Sequence, residues 1–94
     1  MRVTVGTTAT LIAAGSTGTL PDRVALLVKL KSTATASVFL EVRGSNGNNT
    51  DATAAAGYEL EAGQTFGIDL SPGDRLTGIV TAGTQELHVI RSGA

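Results

Sequence analysis

The sequence predicts an all-β chain, a single small β-sandwich or jelly-roll-like barrel of about eight short antiparallel strands. Three observations carry that expectation. Apolar and polar residues alternate, most cleanly at Val24, Leu26, Val28 and Leu30. Turn-forming clusters recur about every 8–12 residues, the spacing of sandwiches and barrels. No segment longer than a turn carries a helical period.

Residues 57–80 organise the rest. Glu61-Ala62-Gly63-Gln64 and Ser71-Pro72-Gly73-Asp74 both place glycine third of four, where a type II turn needs positive φ. Pro72 stands second, where its fixed φ suits the turn. Between the turns Phe66, Ile68 and Leu70 alternate with Thr65, Gly67 and Asp69, a strand with one buried face. The stretch reads strand, reversal, strand, reversal, strand. Gly63, Pro72, Gly73 and Asp74 are assigned as structural turn residues.

From the start of the chain, Arg2, Val3, Thr4 and Val5 form a short strand that bends at Gly6. Residues 7–13 are rich in β-branched side chains, so a second strand follows. Leu11 and Ile12 are adjacent and cannot both point inward, a conflict that a bulge would resolve. Residues 14–22 form a loop. Residues 23–31 make the clearest strand, with Val24, Leu26, Val28 and Leu30 inward and Arg23, Ala25, Leu27, Lys29 and Lys31 outward. A small polar turn over 32–36 leads to a strand over 37–43, with Val38, Leu40 and Val42 inward and Phe39, Glu41 and Arg43 outward. These two strands are expected to pair as a hairpin.

Residues 44–57 form the longest irregular segment, and flanking Gly and Thr make a helix at Ala54, Ala55 and Ala56 unfavourable. Long loops in compact domains are commonly functional. Asn46, Asn48, Asn49 and Asp51 are therefore taken as contacts to a subunit or partner. A strand over 75–81 follows, with Leu76 and Val80 on one face and Ile79 on the other. The last strand, 85–91, places Leu87 and Val89 inward and Glu86, His88 and Ile90 outward, leaving 92–94 as a tail.

Composition narrows the function. Ninety-four residues make one domain, 1–94, which buries only about 60–65% of its unfolded surface. There is no Cys and no Trp, and Tyr58, Phe39 and Phe66 are the only aromatics. A lean aliphatic core without crosslinks is a reason to oligomerise. Seven basic and eight acidic residues are scattered, so no basic stripe exists for nucleic acid. No apolar run approaches the ~20 residues of a membrane-spanning helix. Met1 opens no signal-peptide pattern, so synthesis in the cytoplasm is expected.

Reactive constellations are sparse. His88 is the single histidine, and no Gly-x-Ser-x-Gly elbow accompanies it, so a surface or interface role is expected rather than catalysis. One histidine cannot build a cupin-type metal site. The 46–51 segment has oxygens for Ca²⁺, but Asp51 is its only charge. Gly15 and Gly18 lack the Lys and the helix of a phosphate loop. No catalytic residue, metal or cofactor is assigned, and no small-molecule substrate is expected. Leu27, Phe39, Ile79 and Ile90 lie opposite the core set on four strands. Together they would form a patch that contacts another chain, unless the long loop or a third layer covers that face.

Several stretches carry a resemblance. They are Val3-Thr4-Val5-Gly6-Thr7-Thr8-Ala9-Thr10-Leu11-Ile12-Ala13-Ala14-Gly15, the central Val24-Ala25-Leu26-Leu27-Val28, and Leu60-x-Ala62-Gly63 leading to Asp69-Leu70-Ser71-Pro72-Gly73-Asp74-x-Leu76. Gly83-Thr84 then opens the last strand. Over nearly its whole length the chain resembles small β-sandwich virion proteins of tailed bacteriophages, of the capsid-decoration or head-associated type. The resemblance implies a non-enzymatic structural protein of the virion, sited on the capsid exterior. It implies a homotrimer that binds a phage major capsid protein at capsomer junctions and stabilises the assembled shell. Some such proteins carry an extended arm, and only Arg2, Val3, Thr4 and Val5 could serve as one here, by strand addition to the capsid. The alternatives are a carbohydrate- or receptor-binding module of a tail or head fibre and, behind it, a cupin-like enzyme.

Overall fold

The computed structural model describes residues 2–15, 24–44 and 50–93, the side chains of 92 and 93 excepted. Its strands are β1 (Arg2–Val5), β2 (Thr10–Ala14), β3 (Val24–Leu30), β4 (Val38–Arg43), β5 (Tyr58–Leu60), β6 (Thr65–Leu70), β7 (Arg75–Ile79) and β8 (Gln85–Gly93). They form two four-stranded sheets, β1-β8-β3-β6 and β2-β7-β4-β5, with every pairing antiparallel. No helix occurs among the described residues.

The order follows from one long ribbon. β1 lies against β8, β2 against β7, β3 against β6 and β4 against β5, so the chain doubles back between β4 and β5. Rolling that ribbon brings β3 to β8 and β4 to β7. This is the strand order of a jelly roll.

Inward residues behave as the alternation demands. Val24, Leu26, Val28 and Leu30 are all buried, as are Val38, Leu40, Leu70, Leu76, Val80, Leu87 and Val89. One cluster joins both sheets, with Val5, Ile12 and Leu60 inside it and Val42, Phe66 and Ile68 packed at its margin. Burial of each such aliphatic side chain contributes about 1.5–3 kcal/mol.

Both expected turns form. Gly63 has φ 80° and Gly73 φ 86°, and each turn closes through an amide-to-carbonyl bond of 3.0 Å, Gln64 to Glu61 and Asp74 to Ser71. β2 carries the expected bulge, between Leu11 and Ala13. It resolves a different conflict from the one foreseen: Leu11 faces solvent, while Ile12 and Ala13 both enter the core.

Two expectations are corrected. β3 and β4 are not a hairpin, because they belong to opposite sheets. Both edges of β3 are already occupied, by β6 and β8, so β4 has no free edge to join. The 31–37 link turns through the Ala34 amide bonded to the Lys31 carbonyl at 2.9 Å and crosses to the other layer. The tail is also shorter than expected, since Ser92 pairs with Ala25 and Gly93 with Val24 as the end of β8. Most of the 14–22 loop, and Arg23, lie outside the described residues.

Candidate functional site

Outward positions on the β1-β8-β3-β6 sheet form rows set by its register. Leu27 of β3 stands directly opposite Ile90 of β8, and opposite Gly67 of β6 on its other side. Leu27 is 46% exposed and Ile90 66%. Gly67 has no side chain, and Leu27 Cδ1 lies 3.7 Å from where its Cβ would stand. In the next row Arg2, His88 and Lys29 are cross-strand partners on β1, β8 and β3. The two positive charges of this row, Arg2 and Lys29, flank His88 on either side. Glu86 Oε1 lies 3.7 Å from Arg2 Nη1 and 3.4 Å from His88 Nε2. Exposed pairs of this kind contribute only about 0–1 kcal/mol, so the row shapes the face more than it stabilises the fold. Ala25 and Asp69 form the row on the other side of Leu27.

The opposite outer face is different. Phe39 of β4 and Ile79 of β7 are also direct partners, but both are half-buried. The four outward apolar residues are thus two pairs on opposite faces of the sandwich, not one patch. On the Phe39 side the long connection returns against the sheet. Ala52 is buried, and its amide donates to Thr77 Oγ1 at 2.9 Å. Thr77 Oγ1 in turn donates to the Glu41 carbonyl at 3.4 Å. A Cβ on Gly57 would fall 2.8 Å from Phe39 Cβ, so the backbone there packs against the base of the Phe39 side chain. On this face Phe39 thus meets the chain's own backbone at Gly57, whereas Leu27 and Ile90 stay open.

The remaining sequence candidates sort by burial and register. Asp51 pairs with Arg43 at 3.3 Å on the surface. Asn46, Asn48 and Asn49 lie outside the described residues. β1 is an edge strand of the sheet rather than a free arm, with Val5 in the core and Val3 packed against it. Only Arg2 and Thr4 turn their side chains outward, so any capsid contact by β1 uses these two or the strand's free backbone edge. Asp74 is buried and structural: its Oδ2 accepts from the Ser71 amide at 3.0 Å and its carbonyl from the Gly15 amide at 2.8 Å. Among the described residues no group of three His, Cys, Asp or Glu side chains could hold a metal ion.

Two features were missed in the sequence. The row of Arg2, His88 and Lys29 joins residues far apart in the chain, and only strand register unites them. The second is a cleft of about 340 Å³ between the open edges of the two sheets, walled by Tyr58 and Phe66 and floored by Leu40, Val42 and Leu76. Its signal was present: two of the chain's three aromatics flank the turn at 61–64, both in the inward phase of their strands.

No family model, no curated protein and no solved structure matches the chain.

Proposed function

We propose that the chain is a non-enzymatic structural protein of a tailed-phage virion, a decoration protein that docks on the assembled capsid through the outer face of the β1-β8-β3-β6 sheet. One observation carries this reading: Leu27 and Ile90 stand side by side, exposed, beside the basic row of Arg2, His88 and Lys29. An uncovered apolar pair within a charged frame suits contact with another protein surface. The complementary surface on the major capsid protein would be apolar at its centre and acidic beside it. The jelly roll is also an architecture of viral capsid proteins, a fold-level analogy that adds to the reading without carrying it.

The mechanism is linkage. A protein that binds the closed shell, and not free capsomers, stabilises the shell by its binding free energy. Repetition over the lattice lets a modest affinity per site suffice, and a homotrimer at a symmetry axis would engage three subunits at once.

The test is co-sedimentation with expanded shells that lack the protein. Wild-type chain should pellet with the shells, and the double variant Leu27→Thr, Ile90→Thr should remain in the supernatant. Failure of the wild type to pellet would overturn the reading.

A second reading, a carbohydrate-binding module of a fibre, draws on Tyr58, a residue 57% exposed at the cleft. The cleft's lining argues against it. Tyr58 and Glu41 are its only described residues with hydrogen-bonding side chains, and a sugar needs several.

A further inference from the structure

We propose that the cleft between β5 and β6 is a binding site for an uncharged, apolar, ring-bearing molecule of one or two fused rings. The inference goes beyond the virion reading and does not depend on it.

The argument begins with where the rings are. This chain has only three aromatic residues, and two of them, Tyr58 and Phe66, meet here with centroids 5.1 Å apart and planes tilted by 37°. They come from different sheets. Tyr58 pairs with Leu40 and Phe66 with Val28, both core positions, so both rings belong to the inward face of their strands. An inward tyrosine on a filled sandwich edge would be covered. Tyr58 is 57% exposed instead, because the space beside it is open.

That space is deep as well as open. Leu40 and Leu76, 2% and 0% exposed, stand behind its lining, and its volume is about 340 Å³. A dry cavity of about 150 Å³ lined by aliphatic and aromatic side chains already binds benzene, and ordinary ligand sites start near 300 Å³. The lip is held in place: the Gly57 amide donates to the Thr53 carbonyl at 2.8 Å and the Ala56 amide to Thr53 Oγ1 at 3.2 Å. Little ordering is then needed on binding, which favours affinity.

The lining also selects. Aliphatic walls and two ring faces favour a flat apolar group, which stacks offset or edge-on against Tyr58 and Phe66. Glu41 is the only charged residue among the described lining residues, so an anionic ligand is disfavoured.

The experiment is a titration of ¹⁵N-labelled protein with indole, and separately with glucose, followed by amide chemical shifts. Indole should give saturable shifts centred on Val42, Tyr58, Phe66 and Leu76, and glucose none. Val42→Phe, which fills the cleft, should weaken indole at least tenfold. Tyr58→Ala removes one wall at an exposed position and should weaken indole with the fold intact, so the test stands even if Val42→Phe unfolds. The inference is overturned if indole does not saturate, if its shifts centre on Leu27 and Ile90, or if glucose reproduces them. None of these readouts involves a shell, so failure here leaves the docking reading untouched, and failure to pellet leaves this one.

Discussion

Ser71 and Asp74 hold each other by two hydrogen bonds, the Asp74 amide to the Ser71 carbonyl and the Ser71 amide to Asp74 Oδ2, each 3.0 Å. The turn before it repeats the device. The Gln64 amide donates to the Glu61 carbonyl at 3.0 Å, and the Glu61 amide to Gln64 Oε1 at 2.9 Å. In both, the fourth residue's side chain replaces the partner that the first residue's amide would otherwise lack. Surroundings distinguish them: Asp74 is buried, Gln64 exposed.

Asp74→Ala should therefore cost about 1–3 kcal/mol, because the Ser71 amide loses its partner in a part-buried place. Gln64→Ala should cost well under half as much, since water can take over at the exposed turn. Urea denaturation of the two variants checks this, and equal losses would contradict it.

Thr77→Val should release the 50–53 segment from the sheet. The isosteric change leaves the buried Ala52 amide without its acceptor, at about 1–3 kcal/mol. Hydrogen exchange at Ala52 should accelerate more than exchange at core amides such as Val28, and Thr77→Ser should restore it. Uniform acceleration across the chain would instead mean that the segment has no separate stability.

Glycine substitutions should rank by what the added methyl meets. At Gly15 a Cβ would collide with the Ser71 carbonyl oxygen, which is backbone and cannot rotate away. At Gly78 it would fall 2.8 Å from Ile12 Cδ1, the end of a side chain that can change rotamer. Gly15→Ala should exceed the ~1–3 kcal/mol typical of overpacking, and Gly78→Ala should stay within it. Thermal melts give the order, and the reverse order would refute the account.

The double variant Leu27→Thr, Ile90→Thr should melt within about 1 kcal/mol of wild type. Both positions are exposed, and threonine, being β-branched, is favoured in strands. Loss of shell binding together with an unchanged melt would locate the effect in the interface. A large drop in stability would show that the pair supports the fold.

Much of this fold was legible in order. Alternation marked Val24, Leu26, Val28 and Leu30 as core, and all four are buried. Glycine at the third position marked two turns, and both glycines have positive φ. The β3–β4 hairpin was not legible, because a short polar link serves a hairpin and a crossover between layers equally well. The candidate site was read less completely. Leu27 and Ile90 were recognised as outward, but nothing in the sequence separated them from Phe39 and Ile79, which share their alternation and are half-buried.

The sequence by itself determined which residues of the regular strands face the core and where the chain reverses, since both are properties of neighbouring residues: a period of two, and a backbone angle that glycine adopts without strain. Only the tertiary structure decided which sheet each strand joins. The inner faces of both sheets are lined by the same valines and leucines, so no local residue type labels a strand's partner. Pairing across the rolled ribbon chose it and set Leu27 beside Ile90, while the stacking of one sheet on the other brought Tyr58 to Phe66.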